Sequence, residues 1–150
     1  AVLRLDDERV GRFFDAVMDD EGFFHTGDLG IMDDEGFIYF RQRIKRMIVT
    51  NGYNVYPSQL ENIIEAHPSV QRCCVIGVPD SLKMTAVKAF IVLADGIKES
   101  PEVRESIMEH CRKHIARYAL PRELAFRDSL PTTLVGKVAY TKLEAEEKAA

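Results

Sequence analysis

The chain has 150 residues, 46% of them apolar and 29% charged, which is the composition of a globular protein able to bury its own core. Its formal net charge of -4 gives no general attraction for nucleic acid or anionic membranes. No apolar run approaches a transmembrane span, and acids interrupt the N-terminal residues too often for a signal peptide.

In chain order, residues 8–19 carry Val10, Phe13, Phe14, Val17 and Met18 at helical spacing, which predicts an amphipathic helix. "MDDEGFIYF" reads as a turn built on Asp33, Asp34 and Gly36, followed by a strand over Phe37 to Phe40. "IKRMIVT" predicts a second strand, ended by Asn51-Gly52, a pair that tolerates positive φ. "YPSQLENIIEAHP" predicts a helix: Pro57 suits the first turn, Leu60, Ile63 and Ile64 share a face, and Pro68 follows the end. "VQRCCVIGVP" and "TAVKAFIVLAD" are strong β runs. Residues 101–118 predict a long helix with Val103, Ile107, Cys111, Ile115 and Tyr118 on one stripe. "RELAFRD" reads as a short strand, and "VAYTKLEAEEKAA" as a charged helix expected to fray.

The order is α-β-β-α-β-β-α-β-α, without internal repeats, and it implies a small α+β domain from about residue 44 onward. The first 40 or so residues read as the edge of a larger body. Cys73, Cys74 and Cys111 are odd in number and two are adjacent, which argues for a reducing compartment and against disulfides. His110, Cys111 and His114 share a predicted helix, but no further ligand completes a metal site, so no metal residue is assigned.

Three stretches could carry chemistry: "FFHTGDLG" at 23–30, "RQRIKRMIVTNGYNVYPSQLE" at 41–61 and "LPTTLVGKV" at 130–138. Singly, each has a plain reading as a turn, a solvated basic strand edge and a loop before a helix. Lys137 does not sit in a phosphate-cradling Walker loop, because Pro131 and Val138 stand where glycine and Ser or Thr are needed. No G-x-G-x-x-G fingerprint occurs either.

In this order and spacing, however, the three stretches resemble the C-terminal part of the adenylate-forming superfamily: acyl-CoA synthetases, peptide-synthetase adenylation domains and luciferases. "VIGVPD" adds to the likeness, which covers essentially the whole chain. The resemblance implies a small C-terminal domain with a mostly antiparallel sheet packed by helices, preceded by the tail of a larger N-terminal domain. Residues 1–43 would be that tail, and 44–150 the mobile C-terminal domain. Such enzymes join a carboxylic acid to ATP, giving an acyl-adenylate and pyrophosphate, and many pass the acyl group to CoA.

Matched residue by residue, the resemblance makes Asp28 the acceptor for the ribose hydroxyls, as an ionised carboxylate suits. Thr26 becomes a possible nucleotide contact, within the His25-Thr26-Gly27 motif. Arg43 becomes a nucleotide-contacting arginine and Lys45 the hinge residue. Gly52 and Tyr53 fall on the loop that faces the CoA tunnel, where glycine lets a thin ligand approach the backbone. Lys137 becomes the catalytic lysine of adenylation. Its setting after Pro131 also resembles sites where lysine acetylation switches acyl-CoA synthetases off, which adds a lysine acetyltransferase to the expected partners.

The expected partners are therefore a carboxylic acid, ATP with Mg2+, CoA and an N-terminal AMP-binding domain in the same polypeptide, in the cytoplasm. "GYNVYPSQLE" is closer to the CoA-ligase pattern than to the peptide-synthetase one. An adenylation domain that loads a carrier protein, or a non-enzymatic α+β binding module, are the alternatives. Without the phosphate loop and acid pocket of the larger domain, the chain alone is expected to be inactive. Departures from the pattern are Gln42 beside the hinge motif, and Val135 and Thr132 near Lys137.

Overall fold

A five-residue turn motif builds the first part of the chain twice. The computed structural model describes residues 18–23, 25–80 and 84–149. Within it, Asp-Asp-Glu-Gly-Phe recurs at 19–23 and 33–37, a short repeat where none was expected. In each copy the first aspartate's Oδ1 accepts from the amides two and four residues on, at 3.0 and 2.8 Å from Asp19 and 3.0 and 2.9 Å from Asp33. The glycine takes positive φ, 84° at Gly22 and 86° at Gly36, which is why glycine stands there. The second copy closes an antiparallel hairpin of β1 (Asp28–Met32) and β2 (Ile38–Arg43), with a bulge after Leu29. Its Ile31, Met32, Phe37, Ile38 and Tyr39 are all more than half exposed. The helix expected over 8–19 lies almost wholly outside the described residues; Met18 and Asp19, which are described, are not helical.

The chain divides into two compact units, Ala1–Lys45 and Arg46–Ala150. "IKRMIVT" is not one strand. Its first half winds as a 3-10 turn, Ile44–Arg46, with the Ile44 amide on the Gly27 carbonyl at 2.8 Å. Only Ile48–Thr50 is extended, as β3. Asn51 and Gly52, at φ 49° and 79°, then make a two-residue turn into β4 (Tyr53–Val55), a strand the sequence reading passes over.

The second unit continues with α1 (Pro57–Glu65), β5 (Val70–Asp80), β6 (Met84–Leu93), α2 (Pro101–His114), β7 (Glu123–Phe126) and α3 (Tyr140–Ala149). Strands β5 and β6 pair antiparallel, and β7 joins β6 in parallel. Alternation along β6 divides the core. Val87, Ala89 and Ile91 join Leu60 and Ile64 of α1 and Ile107 and Cys111 of α2 in one cluster. Phe90 and Val92 join Leu130 and Leu143 in another. Full burial of a side chain such as Ile64, Ile107 or Leu143, each 0% exposed, is worth about 1.5–3 kcal/mol. The fold is α+β with mostly antiparallel pairing, as expected.

Two helix expectations need correction. The α2 helix ends at His114, not at 118. Ile115 is extended and buried, and a turn closed by the Ala119 amide on the Ala116 carbonyl returns the chain toward β7. Helix α3 does not hang loose: Leu143 fills the second cluster, and the Lys88 ammonium bonds both Glu147 carboxylate oxygens at 2.9 Å. Lys88 holds Glu123 of β7 as well, at 3.0 Å.

Candidate functional site

Lys137 stands on a hairpin loop whose geometry repeats that of the two aspartate turns. The Thr133 amide donates to the Lys137 carbonyl at 2.7 Å, and the Gly136 amide to the Thr133 carbonyl at 2.9 Å. Thr133 Oγ1 accepts from the Lys137 amide at 3.2 Å, the place Asp Oδ1 takes in the other turns. Gly136 has φ 77°, and Thr132 bridges Val138 across the stem. The stem is anchored: the Ala139 amide meets the Pro131 carbonyl at 2.7 Å, and Val138 and Tyr140 pack on the second cluster. The tip is bare, with Leu134 108% and Val135 79% exposed. Lys137 is exposed, and among the described residues no ion pair engages it. The result is a fixed stem presenting an available ammonium, suited to an incoming anion.

Gly52 and Tyr53 lie elsewhere in the same unit. A Cβ at Gly52 would meet no atom within 4 Å, so the turn is open to a close-approaching ligand. The Tyr53 ring stacks on Tyr118, centroids 4.5 Å apart and planes 21° apart, with both rings partly exposed. Tyr118 therefore supports this turn, rather than completing the α2 stripe.

Asp28, Thr26 and Arg43 belong to the first unit. Asp28 and Arg43 are register partners across β1 and β2, so the hairpin sets the two positions opposite each other. Thr26 Oγ1 accepts from the Asp28 amide at 3.1 Å, and the exposed threonine thereby shapes the entry to β1. Lys45 sits in the 3-10 turn and is the last residue before the boundary between units.

The sequence reading missed Arg46, which it grouped with a solvated basic edge. Its guanidinium forks onto Glu61, Nη1 to Oε2 at 3.1 Å and Nη2 to Oε1 at 2.5 Å, and also donates to the Val75 carbonyl at 3.2 Å. Only 21% of the Arg46 side chain and 15% of that of Glu61 are exposed. Nothing local in "RQRIKR" marks this, since the partner lies 15 residues on. His110 donates from Nε2 to the Ile63 carbonyl at 2.8 Å, which ties α2 to α1. The cysteines are free thiols buried in the core. Burial pushes Cys111 up to about 11 and Cys74 up to about 12, with Cys73 raised as well, so none supplies a thiolate near neutral pH. Among the described residues no group of three or more His, Cys, Asp or Glu is placed to hold a metal ion.

Comparison with known proteins matches this arrangement to one family. The family model for the AMP-binding enzyme C-terminal domain matches residues 59–137, ending on Lys137 itself. A long-chain-fatty-acid–CoA ligase of Bacillus subtilis is 42% identical over 132 residues, which is 88% of this chain and 23% of that protein. One from Escherichia coli O157:H7 is 39% identical over 128 residues, 85% of this chain and 22% of the relative. Among solved structures, ATP-bound MatB from Rhodopseudomonas palustris superposes with a TM-score of 0.82 at 31% identity, covering 93% of this chain and 27% of that one. A Mycobacterium tuberculosis fatty acyl CoA synthetase gives 0.68 at 35% identity, covering 90% and 26%. The chain thus spans about a quarter of the length of the curated relatives it matches. It belongs to the family of AMP-binding enzyme C-terminal domains.

Proposed function

We propose that this chain is the C-terminal part of an ATP-dependent acyl-CoA synthetase, in which it supplies the adenylation lysine and, after a hinge rotation, a face for CoA. The observation that carries this reading is the Lys137 loop: a stem fixed by hydrogen bonds and packing, and an exposed ammonium with no ion pair among the described residues. When the acid's carboxylate attacks the α-phosphorus of ATP and pyrophosphate leaves, negative charge grows on the phosphoryl oxygens. The Lys137 ammonium is suited to stabilise that charge where it develops. Asp28 accepts from the ribose hydroxyls, Arg43 contacts the nucleotide, and Thr26 holds the Asp28 backbone in place. In the second half-reaction the CoA sulfur displaces AMP from the acyl group, and the open turn at Gly52 and Tyr53 borders the path of the pantetheine.

Residues 1–43 then belong to the large AMP-binding domain, residues 44–150 form the mobile domain, and Lys45 is the hinge. ATP and CoA are substrates that need the large domain as well. Mg2+ would arrive with the ATP phosphates, and no residue of this chain is assigned to it. The relatives' names support CoA over a carrier protein as acyl acceptor. They include crotonobetaine/carnitine as well as long-chain fatty acids, so the acid is left as a carboxylic acid. Buried free thiols agree with a cytoplasmic setting. An exposed Lys137 is accessible to an acetyltransferase, and acetylation would remove the charge that adenylation uses. The chain by itself is expected to support no pyrophosphate exchange.

Half-reaction kinetics on the full-length protein test the proposal. Lys137→Ala should lower acid-dependent pyrophosphate exchange about 10²–10³-fold, the scale for removing one preorganised electrostatic donor. Thioester formation from supplied acyl-adenylate should change far less. Equal loss in both half-reactions would refute the role assigned to Lys137.

A further inference from the structure

We propose that Arg46 is a positioning residue, which ties the Lys137 loop to the segment directly after the hinge. The proposal rests on the reading of Lys137 as the adenylation lysine. Arg46 is the first residue of the second unit and follows Lys45 immediately. Its fork on Glu61 reaches α1, and its bond to the Val75 carbonyl reaches β5. Glu61 Oε1 in turn accepts from the Val75 amide at 2.8 Å, so one half-buried ion pair fastens residue 46 to a helix and a strand together. The guanidinium also lies over the Tyr140 ring, 4.8 Å from its centroid.

Tyr140 opens α3 three residues after Lys137 and belongs to the packed stem of the lysine loop. Arg46, Glu61, Gly136, Lys137 and Tyr140 line one cavity of about 390 Å³. The loop tip makes no such attachment, since Leu134 and Val135 are bare. Placement of the lysine therefore comes from the stem, and Arg46 is where the stem meets the chain that leaves the hinge. A backbone rotation before residue 46 is then delivered to the lysine as rigid-body motion instead of being absorbed locally. Lysine could not substitute for Arg46, because one ammonium cannot fork on Glu61, reach the Val75 carbonyl and cover the Tyr140 ring together.

The test is half-reaction kinetics on the full-length protein that carries this chain, with palmitate and palmitoyl-adenylate as probes. Arg46→Ala should lower kcat for pyrophosphate exchange about 10–100-fold, the scale for misplacing a reacting group by an ångström, with KM for ATP little changed. Thioester formation from palmitoyl-adenylate should fall by less than about threefold. Tyr140→Leu removes the ring but leaves the ion pair, and should show the same split more weakly. Tyr140→Phe keeps the ring face and should recover most of what Tyr140→Leu loses. Should Arg46→Ala fail to fold, the two Tyr140 variants decide alone. Equal losses in both half-reactions, or Tyr140→Phe as impaired as Tyr140→Leu, overturn the proposal. Lys137→Ala run in parallel separates the two claims. If it leaves exchange intact, the lysine's role fails; if it abolishes exchange while Arg46→Ala does not, only the positioning claim fails.

Discussion

Replacing Gly136 by alanine isolates backbone strain from packing. Gly136 holds φ 77°, and a Cβ built there would meet no atom within 4 Å. Alanine would therefore clash with nothing, and its whole penalty is the left-handed backbone, roughly 1–2 kcal/mol. The turn can keep its shape and bear that strain. Otherwise it opens, and gives up the bonds from Gly136 to Thr133, from Thr133 to Lys137 and from Lys137 to Thr133 Oγ1. In a protein of this size each kcal/mol moves the melting temperature by about 2–4 °C, so Gly136→Ala should melt about 2–8 °C lower by circular dichroism of the 150-residue chain. Gly136→Asn carries a larger side chain but tolerates the left-handed region, so it should recover part of the loss. Pyrophosphate exchange by the full-length protein should follow the same rank order. A wild-type melting temperature for Gly136→Ala, or an asparagine variant no better than alanine, would refute the strain account of this turn.

Leu143→Ala should cost about 2–5 kcal/mol in urea unfolding, because Leu143 is 0% exposed against Cys74, Ile76, Phe90 and Leu130; a cost under about 1 kcal/mol would return α3 to the frayed helix the sequence suggests. Lys45→Pro, which fixes φ at the proposed hinge, should change the ratio of the two half-reaction rates, and unchanged kinetics in both would reject the hinge assignment. His67 is 7% exposed, and burial, with the neighbouring His110, holds its pKa below the ordinary 6.5. The unfolded chain binds that proton more readily, so stability is present above pH ~6.5 and is lost as pH falls below it. His67→Gln should flatten the fall in melting temperature between about pH 7 and 5; an unaltered slope would count against it.

Much of the architecture was legible because it rests on local chemistry. Pro57 and Pro101 open helices, Asn51-Gly52 ends a strand at positive φ, and β-branched runs form β5 and β6. Lys137 was singled out only through the resemblance to the adenylate-forming superfamily, and the family match ends on it. Where the reading failed, a distant partner had overridden local preference. "IKRMIVT" coils at its start, where Arg46 reaches Glu61 and Val75. The charged C-terminal helix is docked because Leu143 meets a sheet face and Lys88 meets Glu147. Tyr118 has helical spacing from Ile115 yet lies past the helix, stacked on Tyr53.

The sequence by itself determined the α+β class, the turns at Asp33–Gly36 and Asn51–Gly52, and the buried faces of α1 and of α2 up to its end. Periodicity, proline and glycine carry that information within a few residues of where it is used. Tertiary structure alone decided that Thr133 fills the role of the turn aspartates and that the lysine loop is held at its stem and bare at its tip. It also decided that Arg46 is an ion-paired anchor and not a surface charge. The Arg46 outcome depends on groups brought together from 15 to 94 positions apart, from Arg46–Glu61 to Arg46–Tyr140, a separation over which no sequence pattern persists.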